Sequence, residues 1–101
     1  MSTIKLRLYI AGRTATAEKA IRNLHRIASE LEQRGEELDI EVNDVLERPQ
    51  LAEDERILAA PLLIKKLPPP VRRIVGDLSE REKILIGIDL VTDKGSGDEE
   101  A

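Results

Sequence analysis

Apolar and polar residues alternate from Ile4 to Ala11, with Ile4, Leu6, Leu8 and Ile10 on one side and Lys5, Arg7 and Tyr9 on the other, before Gly12 interrupts the run. A period of two belongs to a half-buried strand, so a first strand is predicted here. The period then lengthens. Ala17, Ala20, Ile21, Leu24, Ile27, Ala28 and Leu31 fall at helical spacing, which predicts a long one-sided helix capped by Thr14 or Thr16 and ending near Arg34, before Gly35. Leu38, Ile40, Val42 and Val45 mark a second strand ending near Asp44, with Glu41 and Asn43 on a wet face. A helix between two strands favours a right-handed, parallel β-α-β unit.

Pro49 suits the first turn of a second helix, which the apolar residues Leu51, Ala52, Ile57 and Leu58 extend to about Leu58. Pro61 then precedes a third strand, Leu62 to Lys66, and Pro68, Pro69 and Pro70 form a donor-free, extended connector before a fourth, Val71 to Val75. Ser79 with Glu82 three residues on is a capping box for a helix starting near Glu80. The predicted order is β-α-β-α-β-β-α, with a proline directly before the third strand. That pattern resembles the thioredoxin-like scaffold, in which this proline is usually cis and faces the loop after the first strand, here residues 11–16. Residues 1–92 read as one domain, and residues 93–101, rich in glycine and acid, as a disordered tail.

Lys83 to Thr92 reads two ways. As a strand it places Ile84, Ile86, Ile88 and Leu90 on one face; as a helix, Ile84, Leu85, Ile88 and Val91 form a stripe. Gly87 weakens either form, so propensity does not decide between them. Tertiary context settles most such segments; the sharper reading is a chain with two packings separated by a few kcal/mol.

Composition narrows the chemistry. A chain of 101 residues without cysteine has no disulfide, thiolate nucleophile or thiolate metal site, so redox catalysis is excluded. The net charge of -4, spread over 36% charged residues, lacks the basic excess that nucleic acid selects. No apolar run approaches the ~20 residues of a membrane helix, and the N-terminus lacks a signal-peptide core, so the expected location is the cytoplasm. His25 is the single histidine and reads as a surface residue rather than a ligand or base. Glu53, Asp54 and Glu55 point different ways on a helix and read as a solvated face, not a metal or acid-base cluster. No catalytic residue, metal or cofactor is assigned.

Four stretches, Leu8-Tyr9-Ile10-Ala11-Gly12, Pro49-Gln50-Leu51-Ala52-Glu53, the block LPPPVRRIVGDL from Leu67 to Leu78 and the run SEREKILIGIDL from Ser79 to Leu90, together resemble the KaiB family. The resemblance covers nearly all of residues 4 to 91. It implies a metamorphic clock protein that rests as a homo-oligomer, tetramer or dimer, in a ground-state order β-α-β-β-α-α-β with the last segment as a strand. Such a protein converts to a thioredoxin-like monomer that binds the N-terminal ATPase ring of the hexameric kinase KaiC, captures KaiA and displaces the histidine kinase SasA. By the same resemblance, Gln50, Leu51 and Arg56 fall on the surface that faces the ring. Gly87 and Asp89 fall where substitution favours the switched fold, and Pro61, Pro68, Pro69 and Pro70 match prolines whose isomerisation is tied to switching. Arg72 and Arg73 read equally as anchors for an anionic partner surface and as guards of a strand edge against aggregation.

Thr92 in place of a tyrosine, Ala60 in place of a threonine, a first-loop proline that is missing and the added tail depart from cyanobacterial relatives. They point to a homologue from outside the cyanobacteria and count against capture of KaiA. The alternative functions are a stress-response adaptor with another partner and a redox-inactive thioredoxin-like protein.

Overall fold

The computed structural model describes residues 3–87. Strand β1 (Thr3–Ile10) is followed by helix α1 (Ala15–Gln33), strand β2 (Glu37–Asp44), helix α2 (Pro49–Asp54), strands β3 (Leu62–Leu67) and β4 (Arg72–Val75), and helix α3 (Arg81–Gly87). The sheet order is β2-β1-β3-β4, with β1 and β2 parallel and the β1/β3 and β3/β4 pairs antiparallel. This is the mixed α/β order that the alternating periods predict.

Alternation in β1 divides the interior between two faces. Ile4, Leu6, Leu8 and Ile10 pack beneath α1 and α3 with Ala20, Leu24, Leu31, Leu63, Ile84 and Leu85. Tyr9, Leu62 and Ile64 form a smaller cluster on the other face, against Val45, Leu51 and Ile57. Tyr9, predicted on a polar side, is thus 3% exposed, because α2 covers that end of the sheet. Burial raises its phenol pKa, and the nearby Glu55 carboxylate adds to the effect. Asn43, in register with Tyr9, is buried as well, where a wet face was predicted; its amide oxygen accepts from Arg48 Nη1 at 3.2 Å. Further along the sheet Arg7 keeps the polar character expected of it, pairing with Asp39 at 3.3 Å and Glu41 at 3.2 Å.

Both long-range helix ends follow local chemistry. Thr14 Oγ1 accepts from the Ala17 amide at 3.0 Å and so caps α1. At its other end Gly35, with φ +91°, donates to Glu32 O, and the Glu36 amide returns to Leu31 O, a Schellman closure.

The C-terminal part is fastened to α1 by polar contacts as well as by Ile84 and Leu85. Asn23 Nδ2 donates to Asp77 O at 2.8 Å, and Lys19 lies 3.4 Å from the Asp77 carboxylate. That carboxylate accepts from the Ser79 amide at 3.0 Å. Leu78 adopts a φ of +63° between them and drops its side chain into the core. One turn further on, Arg81 Nε donates to Glu30 Oε1 at 2.6 Å, its Nη2 pairs with Glu30 Oε2, and Arg34 approaches the same carboxylate at 3.1 Å. The segment that reads two ways is therefore helical over residues 83–87, while Asp89 and the rest of it, like the predicted tail, lie outside the described residues.

The Arg81 guanidinium, by hydrogen bonding first and charge second, holds the Glu30 carboxyl below the usual carboxylate range. A carboxyl with a depressed folded-state pKa adds stability that is present above its unfolded value, about 4.3, and is lost as pH falls through the folded value. Glu30→Gln is therefore expected to flatten the acid limb of a stability-pH profile below about pH 4.5 and to leave its neutral-to-alkaline part with the wild-type slope. Urea midpoints across that range measure it, and an unchanged acid slope would refute the assignment.

Candidate functional site

The residues proposed to face a partner do not all lie together. Gln50, Leu51 and Arg56 sit in or just after α2, where Leu51 turns into the Tyr9 cluster and Gln50 is exposed, donating to Asp54 Oδ1 at 2.9 Å. Arg73 joins them from β4. It pairs in register with Ile64, whose side chain lies on the α2 face, whereas Arg72 pairs with Lys65 and belongs to the opposite face. The arginine pair is consequently split by strand alternation, and only Arg73 serves the α2 surface.

Helix α2 is shorter than its apolar pattern predicts. It stops at Asp54 because Arg56 takes a φ of +54°, with its amide bonded to Glu53 O and the Ile57 amide bonded to Ala52 O at 2.8 Å. These bonds are the same Schellman closure that ends α1, with arginine in the position glycine usually takes. Ile57 then packs toward Leu51, which is the apolar contact such a closure favours, and Leu58 is thrown out to 97% exposure. Ala52, Glu53, Arg56, Ile57 and Leu58 line a shallow hollow there.

The loop after this turn is held by cations from the sheet. Lys66 Nζ lies 2.7 Å from Glu55 Oε2, and Arg73 donates through Nη1 to Arg56 O at 3.2 Å and through Nη2 to Glu55 O. Sequence reasoning placed Arg73 but missed Lys66, whose only signal was a basic residue in line with the apolar Leu62 and Ile64 on the α2 face of β3. It also missed Lys65, 1% exposed, whose ammonium donates to Pro68 O at 2.8 Å and so ties β3 to the proline triplet.

The Ala60–Pro61, Leu67–Pro68 and Pro69–Pro70 bonds are cis. Pro61 is buried beside β3, and Pro69 and Pro70 are exposed. Gly87, the last described residue of α3, fits against Ile74: a Cβ there would lie 2.8 Å from Ile74 Cδ1. Among the described residues no group of three or more His, Asp or Glu side chains is placed to hold a metal ion, and no helix is long and apolar enough to cross a membrane.

These features define a thioredoxin-like α/β domain whose loop after β1, the reactive loop of that scaffold, carries no thiol. Solved structures agree on the fold: the N-terminal domain of SasA from Synechococcus elongatus superposes with a TM-score of 0.72 at 20% identity, over 91% of this chain and 89% of that one. Chloroplastic thioredoxin z does so with a TM-score of 0.65 at 22% identity, over 88% and 80%. The KaiB domain model matches residues 7–90. The circadian clock protein KaiB3 of Synechocystis is 50% identical over 91 residues, 90% of this chain and 87% of its own, and the circadian clock oscillator protein KaiB of Prochlorococcus marinus is 52% identical over 97 residues, 96% and 83%. The chain belongs to the KaiB family of circadian clock proteins.

A residue with a side chain held at positive φ carries a penalty of about 1 kcal/mol that glycine does not. Because Arg73 meets Arg56 through the backbone carbonyl and not the side chain, Arg56→Gly keeps that bond and is expected to raise the unfolding free energy by about 0.5 to 1 kcal/mol. Chemical denaturation is the measurement; a loss of stability would mean that the Arg56 side chain itself holds the turn.

Proposed function

We propose that this protein is a non-enzymatic clock or timer component that binds the N-terminal ATPase ring of a KaiC-like hexameric kinase and regulates its phosphorylation cycle. The observation that carries the reading is membership of the KaiB family over residues 7–90. The α2 surface supports it physically. Gln50 is exposed on α2 itself and Arg56 on the turn that backbone closure fixes after it, and the Tyr9 cluster braces Leu51 beneath them, so a partner meets a preorganised patch. Arg73 contributes from β4, while Arg72 lies on the other face of that strand.

A SasA-like histidine kinase fits as a competitor for the same ring, because the SasA N-terminal domain shares this fold. KaiA is left out of the proposal on account of Thr92 and Ala60. The role is exercised in the cytoplasm, by a monomer in the thioredoxin-like arrangement that exchanges with a homo-oligomeric ground state in which the last segment is a strand. Gly87 and Asp89 hold the balance between them, with Pro61, Pro68, Pro69 and Pro70 between the binding turn and that segment. In the helical form an alanine at 87 gains helix propensity of about 1 kcal/mol, and an arginine at 89 suits the helix C-terminal dipole.

Binding is expected to strengthen in a Gly87→Ala, Asp89→Arg variant, since apparent affinity scales with the fraction of competent molecules. Titration against KaiC from the same organism, with size-exclusion chromatography over a dilution series, reads both the affinity and the oligomer. Absence of binding by wild type and variant alike would overturn the reading.

The packing of Gly87 adds a sharper test. Its missing Cβ makes room for Ile74 Cδ1, so Gly87→Ala gains propensity but must displace that methyl. Removing the methyl with Ile74→Val should make the pair non-additive: the alanine is expected to stabilise the helical form by about 0.5 to 1 kcal/mol more in the valine background than alone. A double-mutant cycle in the NMR-detected population of that form gives the number, and strict additivity would sink the packing account.

A further inference from the structure

We propose that Arg73 is a positioning residue, which caps the C-terminal end of α2 from strand β4 and thereby presents Leu58 as the apolar anchor for the partner. The proposal rests on the reading that the α2 side receives the ATPase ring. A Schellman closure uses the carbonyls of Ala52 and Glu53 but leaves those of Glu55 and Arg56 without helical amides. Arg73 supplies a donor to each, Nη1 to Arg56 O and Nη2 to Glu55 O. Lys66 takes the Glu55 carboxylate, so Glu55 is held by both its backbone and its side chain. Ile57 is drawn into the Tyr9 cluster on one side of the turn, and the next residue, Leu58, stands 97% exposed on the other.

A lone exposed leucine is ordinary on a protein surface. This one differs in that the turn before it is fixed from three directions, so that little ordering entropy remains to be lost when a partner's apolar pocket closes over it. A guanidinium directed at two backbone carbonyls is turned toward its own chain, which separates Arg73 from the role of an anchor for an anionic partner. The two donors also explain the residue type: lysine offers a point charge where the planar fork reaches both oxygens.

Amide exchange in the free protein and binding to a KaiC hexamer test the proposal together. Arg73→Ala is expected to speed exchange at the Arg56 and Ile57 amides by about tenfold, the loss of roughly one hydrogen bond's net contribution, and Arg73→Lys by less. Both variants should weaken binding in the same order, through faster dissociation, with the salt dependence of the association rate unchanged. Leu58→Ala should weaken binding by about tenfold or more with amide exchange as in wild type. Weaker binding of Arg73→Ala with unaltered exchange and a shallower salt dependence would make Arg73 a direct contact and overturn the proposal, as would a loosened turn that binds normally. If wild type does not bind the hexamer, the functional reading fails, and the Arg73 exchange result still decides whether the residue holds the turn.

Discussion

Strand β1 is bonded along both edges and covered on both faces, and every other element takes its place from it. Its edges pair with β2 in parallel and β3 in antiparallel, and its side chains divide the interior into a large cluster under α1 and α3 and a small one under α2. An eight-residue strand can do this because Leu6, Leu8 and Ile10 serve one face while Tyr9 alone reaches deep into the other. Burial of about 25 cal/mol per Å² makes the first face the dominant source of stability. The second face is thin, so α2 depends on its end chemistry as much as on packing.

That difference explains what the sequence disclosed and what it did not. Helix α1 was legible almost from its start to its stop, since an amphipathic stripe, a capping threonine at 14 or 16 and Gly35 all declare themselves in residue type, and the Ala17 amide bond to Thr14 settles the cap. Helix α2 ends by the same hydrogen-bonding motif, yet its αL position is held by Arg56, and nothing in an arginine signals positive φ. Apolar Ile57 and Leu58 then mislead, because one is drawn in and the other turned out. Tyr9 and Asn43 failed for a related reason: alternation tells which residues share a face, and only tertiary context tells which face is covered. The thioredoxin-like order and the proline before β3 were readable because strand and helix periods are local, while the arrangement of the α2 surface depends on Arg73 and Lys66, which lie 17 and 11 residues from the groups they bind.

Strand β4 is the shortest in the sheet, and its two faces bear on different parts of the molecule. Arg73 reaches the carbonyls after α2, and the adjacent Ile74, on the opposite face by alternation, receives Gly87 of α3. On the proposed reading these are the binding turn and the switching segment. A partner that recognises the turn in this arrangement recognises β4 in its present register, and β4 in this register offers Ile74 to a helix at 84–87. Binding and refolding are then linked through one strand, without a longer chain of contacts between them. Since a ligand shifts a two-state equilibrium only by its differential affinity for the two states, the coupling is limited by what the turn loses when β4 leaves its place. On the proposed reading that loss comprises the two carbonyl bonds of Arg73 and the order they impose on residues 55–58, so the cap on α2 would set how strongly a partner selects this fold.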